Sequence, residues 1–190
     1  MYYRNSSVLR TSVMLCLAFT ALIAGQAVAQ TAMDHSHQPV ALPDTTPRPA
    51  LSLVLRRDAM SGFNLELLLQ RYHMTPPPDA AMSMAAMMAP SVDLETGWAA
   101  GHAHLYINGE KIQRLYGRHT HIPGTLFREG MNLVTVSINN HGHLYWTSAG
   151  RQILATLFID TQAPDFISYR FESFPVSEQS AVTELVANKL

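Results

Sequence analysis

The stretch GHAHLYINGEKIQRLYGRHTHIPG, from Gly101 to Gly124, constrains the fold more than any other part of the chain. At its centre, Asn108-Gly109 supplies the chemistry of a two-residue hairpin turn, because both residues tolerate positive φ. Ala103, Leu105 and Ile107 then form the apolar face of the incoming strand. Period-2 alternation puts His102, His104, Tyr106 and Asn108 on the other face. His102 and His104 therefore project the same way, roughly 6–7 Å apart along the strand. Two imidazoles so placed reach one metal ion or line one polar pocket. The return strand, Lys111 to Tyr116, leads to a second His-x-His pair, His119 and His121, and brings it back toward the end where His102 begins.

The first residues have the three parts of a secretory signal. Arg4 and Arg10 form a positive n-region, Met14 to Gly25 an apolar run, and Ala27-Val28-Ala29 an A-x-A cleavage site. The run is short for a bilayer span, so residues 1–29 read as a removed signal with no membrane span left after cleavage. The expected location is periplasmic or secreted. Cys16, the single cysteine, follows Leu15 rather than a small residue, which argues against a lipoprotein anchor. The exported chain then has neither disulfide nor thiolate. Cleavage removes two of the 13 basic residues and none of the 14 acidic ones, which takes the formal charge from −1 to −3. With no basic run left, nucleic acid is a poor partner. The unusual polar feature is the set of 9 histidines.

Residues 30–49 are polar and proline-containing and read as a flexible arm, in which His35 and His37 are either a metal-capture pair or solvated linker. Leu51, Leu53 and Leu55 alternate in a first strand; Phe63, Leu65, Leu67 and Leu69 alternate in a second. Pro76 to Pro78 end that region. Met74, Met82, Met84, Met87 and Met88 then cluster, with a short helix favoured over Ala80 to Ala89. This segment is either a hydrophobic plug or a thioether-rich metal loop. Leu126 to Gly130 reads as a corner, and Val134, Val136 and Ile138 as a further strand. Asn139 to His143 is a loop carrying a third His pair, His141 and His143. Ile153 to Ile159 is a continuous apolar strand, and Phe166 to Phe174 covers an edge or the side of the core. Ser177 to Leu190 suggests a terminal helix.

At least six strands and little helix predict an all-β, antiparallel, immunoglobulin-like β-sandwich over residues 50–175. A Met-rich loop interrupts it and a short C-terminal helix or tail over 176–190 follows it. The disulfide and buried strand-C Trp of antibody domains are absent from the pattern; Trp98 stands just before the third strand instead. In such a sandwich the second strand ends, the third begins and the sixth ends at one pole. That geometry gathers His73, His102, His104, His119, His121, His141 and His143 there, together with the Met loop.

The motif GHAHLYINGEKIQRLYG resembles a group of mostly uncharacterised secreted bacterial proteins with a Gly-His-x-His-Leu-Tyr-x-Asn-Gly hairpin on an immunoglobulin-like sandwich. The resemblance implies that fold and an extracytoplasmic role in metal handling.

Without cysteine, the available ligands are imidazole, thioether, carboxylate and water. Imidazole with thioether tilts toward copper, with zinc the alternative. The expected function is copper binding or delivery through His102, His104 and one of the pairs His119/His121 or His141/His143, with Met84, Met87 or Met88 as soft ligands. The competing reading is a structural or interaction module, in which these histidines hydrogen-bond loops and the Met segment docks on a periplasmic protein partner. A metal-dependent enzyme ranks lower, because HExxH and G-x-S-x-G are both missing.

Overall fold

A computed structural model describes residues 38–76 and 83–177 of the 190. The signal segment, His35, His37, Met82 and nearly all of the expected C-terminal helix lie outside those residues. The described part is an all-β protein of two sheets.

The smaller sheet holds β2 (Ala50–Arg57), β3 (Phe63–Gln70) and β7 (His119–Ile122), in the order β2-β3-β7. The alternating leucines explain the first pair. Leu51 faces Leu69, Leu53 faces Leu67 and Leu55 faces Leu65, all buried. A strand whose every second residue is leucine has one face that must leave water, and β2 and β3 register those faces together.

The larger sheet is centred on β8 (Met131–Asn139), which pairs antiparallel with β5 (Ala99–Ile107) and with β11 (Leu154–Asp160). Strand β6 (Glu110–Leu115) pairs with β5, and β12 (Ile167–Glu172) with β11. Short pieces extend it. These are β1 (Pro39–Ala41), β9 (Tyr145–Ser148) and β10 (Arg151–Gln152) at one side, and β4 (Tyr72–Met74) parallel to the start of β5. Strand β1 falls inside the stretch read from sequence as a flexible arm. It is fixed there by parallel pairing with β9.

The two sheets share one core. Ala103, Leu105 and Ile107 of β5, Val134, Val136 and Ile138 of β8, and Ala155, Leu157 and Ile159 of β11 pack in one cluster with the leucines of β2 and β3. Trp146 is fully buried in the same cluster. At the hairpin, Asn108 (φ 54°) and Gly109 (φ 87°) both take the left-handed conformation that the dipeptide foretells. The Asn108 side chain is not idle: its Oδ1 accepts from Leu133 N at 2.9 Å and its Nδ2 donates to Asn132 Oδ1 at 2.8 Å. The turn is thereby stitched to the neighbouring strand.

The Met segment forms a single helix, α1 (Met84–Met88), capped by Ser83, whose Oγ accepts from Ala86 N.

Candidate metal centre

The outer face of β5 carries His102 and His104, as alternation requires, yet this face is not wet. His102 is 1% exposed and His104 fully buried. The i, i+2 spacing alone would leave the rings some distance apart, but they lean together. The Nε2 atoms approach to 2.9 Å and the ring centroids to 4.8 Å. The Tyr116 ring lies 5.3 Å from that of His102, and the Tyr106 ring 6.3 Å from that of His104.

The third imidazole arrives from the loop after β8. His143 takes a left-handed conformation, φ 69°, which turns its side chain back over β5. Its backbone is pinned on both sides: its N–H donates to Asn140 O at 3.1 Å, and its carbonyl accepts from Asn139 Nδ2 at 3.0 Å. The ring then sits 4.9 Å from His102 and 5.4 Å from His104, with Nδ1 at 3.3 Å from His104 Nε2. One nitrogen from each of His102, His104 and His143 lies within 4.8 Å of the others.

Two separations in this arrangement, 2.9 Å between His102 and His104 and 3.3 Å between His104 and His143, fit ligands of one metal ion. With metal–nitrogen bonds of about 2.0–2.1 Å, ligand nitrogens stand about 2.9 Å apart at a right angle and about 3.3 Å apart at a tetrahedral one. It fits a purely hydrogen-bonded trio less well. A ring nitrogen carries either one N–H or one lone pair, while His104 Nε2 faces nitrogens of both His102 and His143. A shared cation gives each of the three rings a use for the lone pair it turns inward. Tyr106 supplies a partner behind the set, its hydroxyl 3.4 Å from His104 Nδ1, as outer groups around metal-bound imidazoles do.

The electrostatics keep the His102 ring neutral. Burial, reinforced by neighbouring His104, His143 and Arg114, pushes the His102 imidazole from its ordinary value down to about 2. A neutral ring is the form that ligates a metal. His141 is also lowered, by burial.

The remaining candidates are distributed. His141 lies at this end, its Nε2 3.3 Å from Thr75 Oγ1. His73, on β4, has its ring 5.2 Å from Trp98 and its Nε2 3.9 Å from Asp93 Oδ1. Met87 and Met88 come to this end through their backbones. Asn140 Nδ2 donates to the carbonyls of Met87 (3.2 Å), Met88 (3.4 Å) and Ala89 (3.0 Å). The Met88 side chain packs against the core cluster, and Met84 is exposed.

His119 and His121 are not brought to this cluster. After β6, the chain does not stay beside β5. Leu67 N donates to Arg118 O at 2.8 Å and Arg118 Nη1 to Leu69 O at 3.1 Å, so the chain is captured by β3 of the other sheet. There His119 pairs with Glu66 and His121 with Asn64 across the ladder. His119 Nε2 stands 3.6 Å from Glu66 Oε1, and His121 Nδ1 3.2 Å from Asn64 Oδ1; both rings are solvent-facing.

Tyr116 and Asn140 are the participants that alternation and motif do not point to. Only the Asn-Asn loop signal before His141 hints at the second of them.

No family model, curated protein or solved structure matches the chain. Among the described residues no helix is long and apolar enough to cross a membrane.

Proposed function

We propose that the protein is an exported, periplasmic copper-binding protein, holding the ion on His102, His104 and His143. The observation that carries this reading is the convergence of three imidazoles, two buried on a strand and one half-buried on a distant loop, onto one point. An all-nitrogen set suits copper, zinc, iron or nickel, and among divalent ions copper binds such sets most tightly. Export rests on the signal at residues 1–29. The scaffold reads as immunoglobulin-like, a reading supported by the order β2-β3-β7 in one sheet and β11-β8-β5-β6 in the other.

Copper titration of the purified protein tests this. One ion per chain is expected, with a raised melting temperature that a chelator reverses. His143→Asn, chosen because asparagine tolerates positive φ, is expected to weaken binding. Melting insensitive to chelator, with equally weak binding by both proteins, would sink the proposal and leave a polar packing cluster.

A further inference from the structure

We propose that this site selects a monovalent soft ion, Cu(I), over divalent ions, because among the described residues the ligand group holds no carboxylate and stands beside a cation. The inference rests on the metal reading above and sharpens it to an oxidation state.

The strand register identifies the neighbours, since residues directly opposite in an antiparallel ladder share a face. On the β8 side, His102 is opposite Asn139 and His104 opposite Ser137. On the β6 side, His104 is opposite Arg114 and Tyr106 opposite Lys111. Every one of these groups is neutral or positive. Ser137 and Asn139 are engaged with each other, Ser137 Oγ donating to Asn139 Oδ1 at 2.8 Å. The ligand group itself consists of three imidazoles with no carboxylate oxygen. Asp93, on the segment beside β4, turns its carboxylate to Thr96 and His73: Oδ1 accepts from Thr96 N at 2.8 Å and from Thr96 Oγ1 at 2.7 Å and stands 3.9 Å from His73 Nε2.

Three neutral imidazoles cancel none of a metal's charge. An ion entering this site gives up water on the strand side, where His102 and His104 are buried. The desolvation cost rises with the square of the charge, so it is about four times larger for a divalent than for a monovalent ion. Repulsion from the Arg114 guanidinium is about twice as large for the divalent ion. Both effects act in the same direction.

The experiment uses the purified full chain under anaerobic conditions. Cu(I) affinity is read by competition with a chromophoric Cu(I) chelator, and Zn(II) affinity with a zinc-responsive dye, in buffer free of coordinating anions. Cu(I) is expected to bind at least about a hundredfold more tightly than Zn(II), by the charge arithmetic above. Arg114→Glu places a carboxylate opposite His104 at an exposed position, where folding is insensitive. It is expected to narrow the Cu(I)-to-Zn(II) ratio roughly tenfold, mainly by strengthening Zn(II). Zn(II) binding as tight as Cu(I), or a ratio that Arg114→Glu leaves unmoved, overturns the selectivity. Binding of neither ion would instead bring down the metal site as a whole.

Discussion

Two of the chain's His-x-His pairs lie on strands, in different sheets, and they meet opposite fates. His102-Ala103-His104 lies in β5, paired on both sides within the large sheet, and its rings are buried against each other. His119-Thr120-His121 lies in β7, at the edge of the small sheet, and its rings face solvent beside Glu66 and Asn64. Spacing is identical, so spacing does not make the cluster. What differs is a third imidazole overhead and a cover of Tyr116 and the Asn140–His143 loop. A His-x-His strand becomes a chelating unit only when tertiary structure brings a further donor and expels water.

The sharpest way to break the comparison is to remove each pair in turn. His102→Ala with His104→Ala should cost roughly a thousandfold or more in metal affinity, since two of three ligands vanish. His119→Ala with His121→Ala should leave affinity within about twofold of wild type, because exposed changes away from the ligands are close to silent. Isothermal titration of both variants measures the contrast, and comparable losses would erase it.

The next effect concerns the opposite face of the same strand. Leu105 is fully buried under both sheets, so Leu105→Ala should lower stability by about 2–5 kcal/mol in chemical denaturation. A change of less than about 1 kcal/mol would mean the shared core is not packed as described.

Smaller still is the cover. Asn140 is fully buried, donates to three carbonyls around the end of α1, and accepts from Leu144 N at 2.9 Å. Asn140→Ala should cost about 1–3 kcal/mol, the penalty of stranding buried partners. It should also speed metal release, read by stopped-flow chelator challenge; an unchanged release rate would detach this loop from the site. The smallest effect belongs to β7's surroundings. Glu66→Gln removes an exposed ion pair with Arg56 at 3.0 Å and should alter stability by less than about 1 kcal/mol.

Alternation made much of this fold legible. The leucines of β2 and β3, the Ala103-Leu105-Ile107 face and the Val134-Val136-Ile138 face each announce a half-buried strand. Asn108-Gly109 announces its turn down to the sign of φ. The short strands were not legible. β1, β4 and β9 are three or four residues long; β4 and β9 lie along the longer β5 and β8, and β1 in turn pairs with β9. The site was readable in part. His102 and His104 sharing a face follows from period 2, but their burial does not. It depends on Tyr116 and on His143, whose φ of 69° no local pattern demands. His119 and His121 were expected at the same pole because the hairpin returns there. The deciding event is instead a pair of hydrogen bonds between Arg118 and β3, one donated by Leu67 N and one by the Arg118 guanidinium, a tertiary choice that the motif does not encode. The Met segment, read as either plug or ligand loop, meets this end through carbonyls and core packing.

Tyr72 sets one further term. From the core side, its hydroxyl reaches His102 O at 2.9 Å and Asn139 O at 2.8 Å, the two carbonyls of a single cross-strand pair. One phenolic proton therefore clasps the rung from which both ligand-bearing segments depart. The gauge of the pocket is fixed from beneath, by a group no ion would touch. Substitutions on the outer surface can thus retune what is bound without resetting the distance across which it is held.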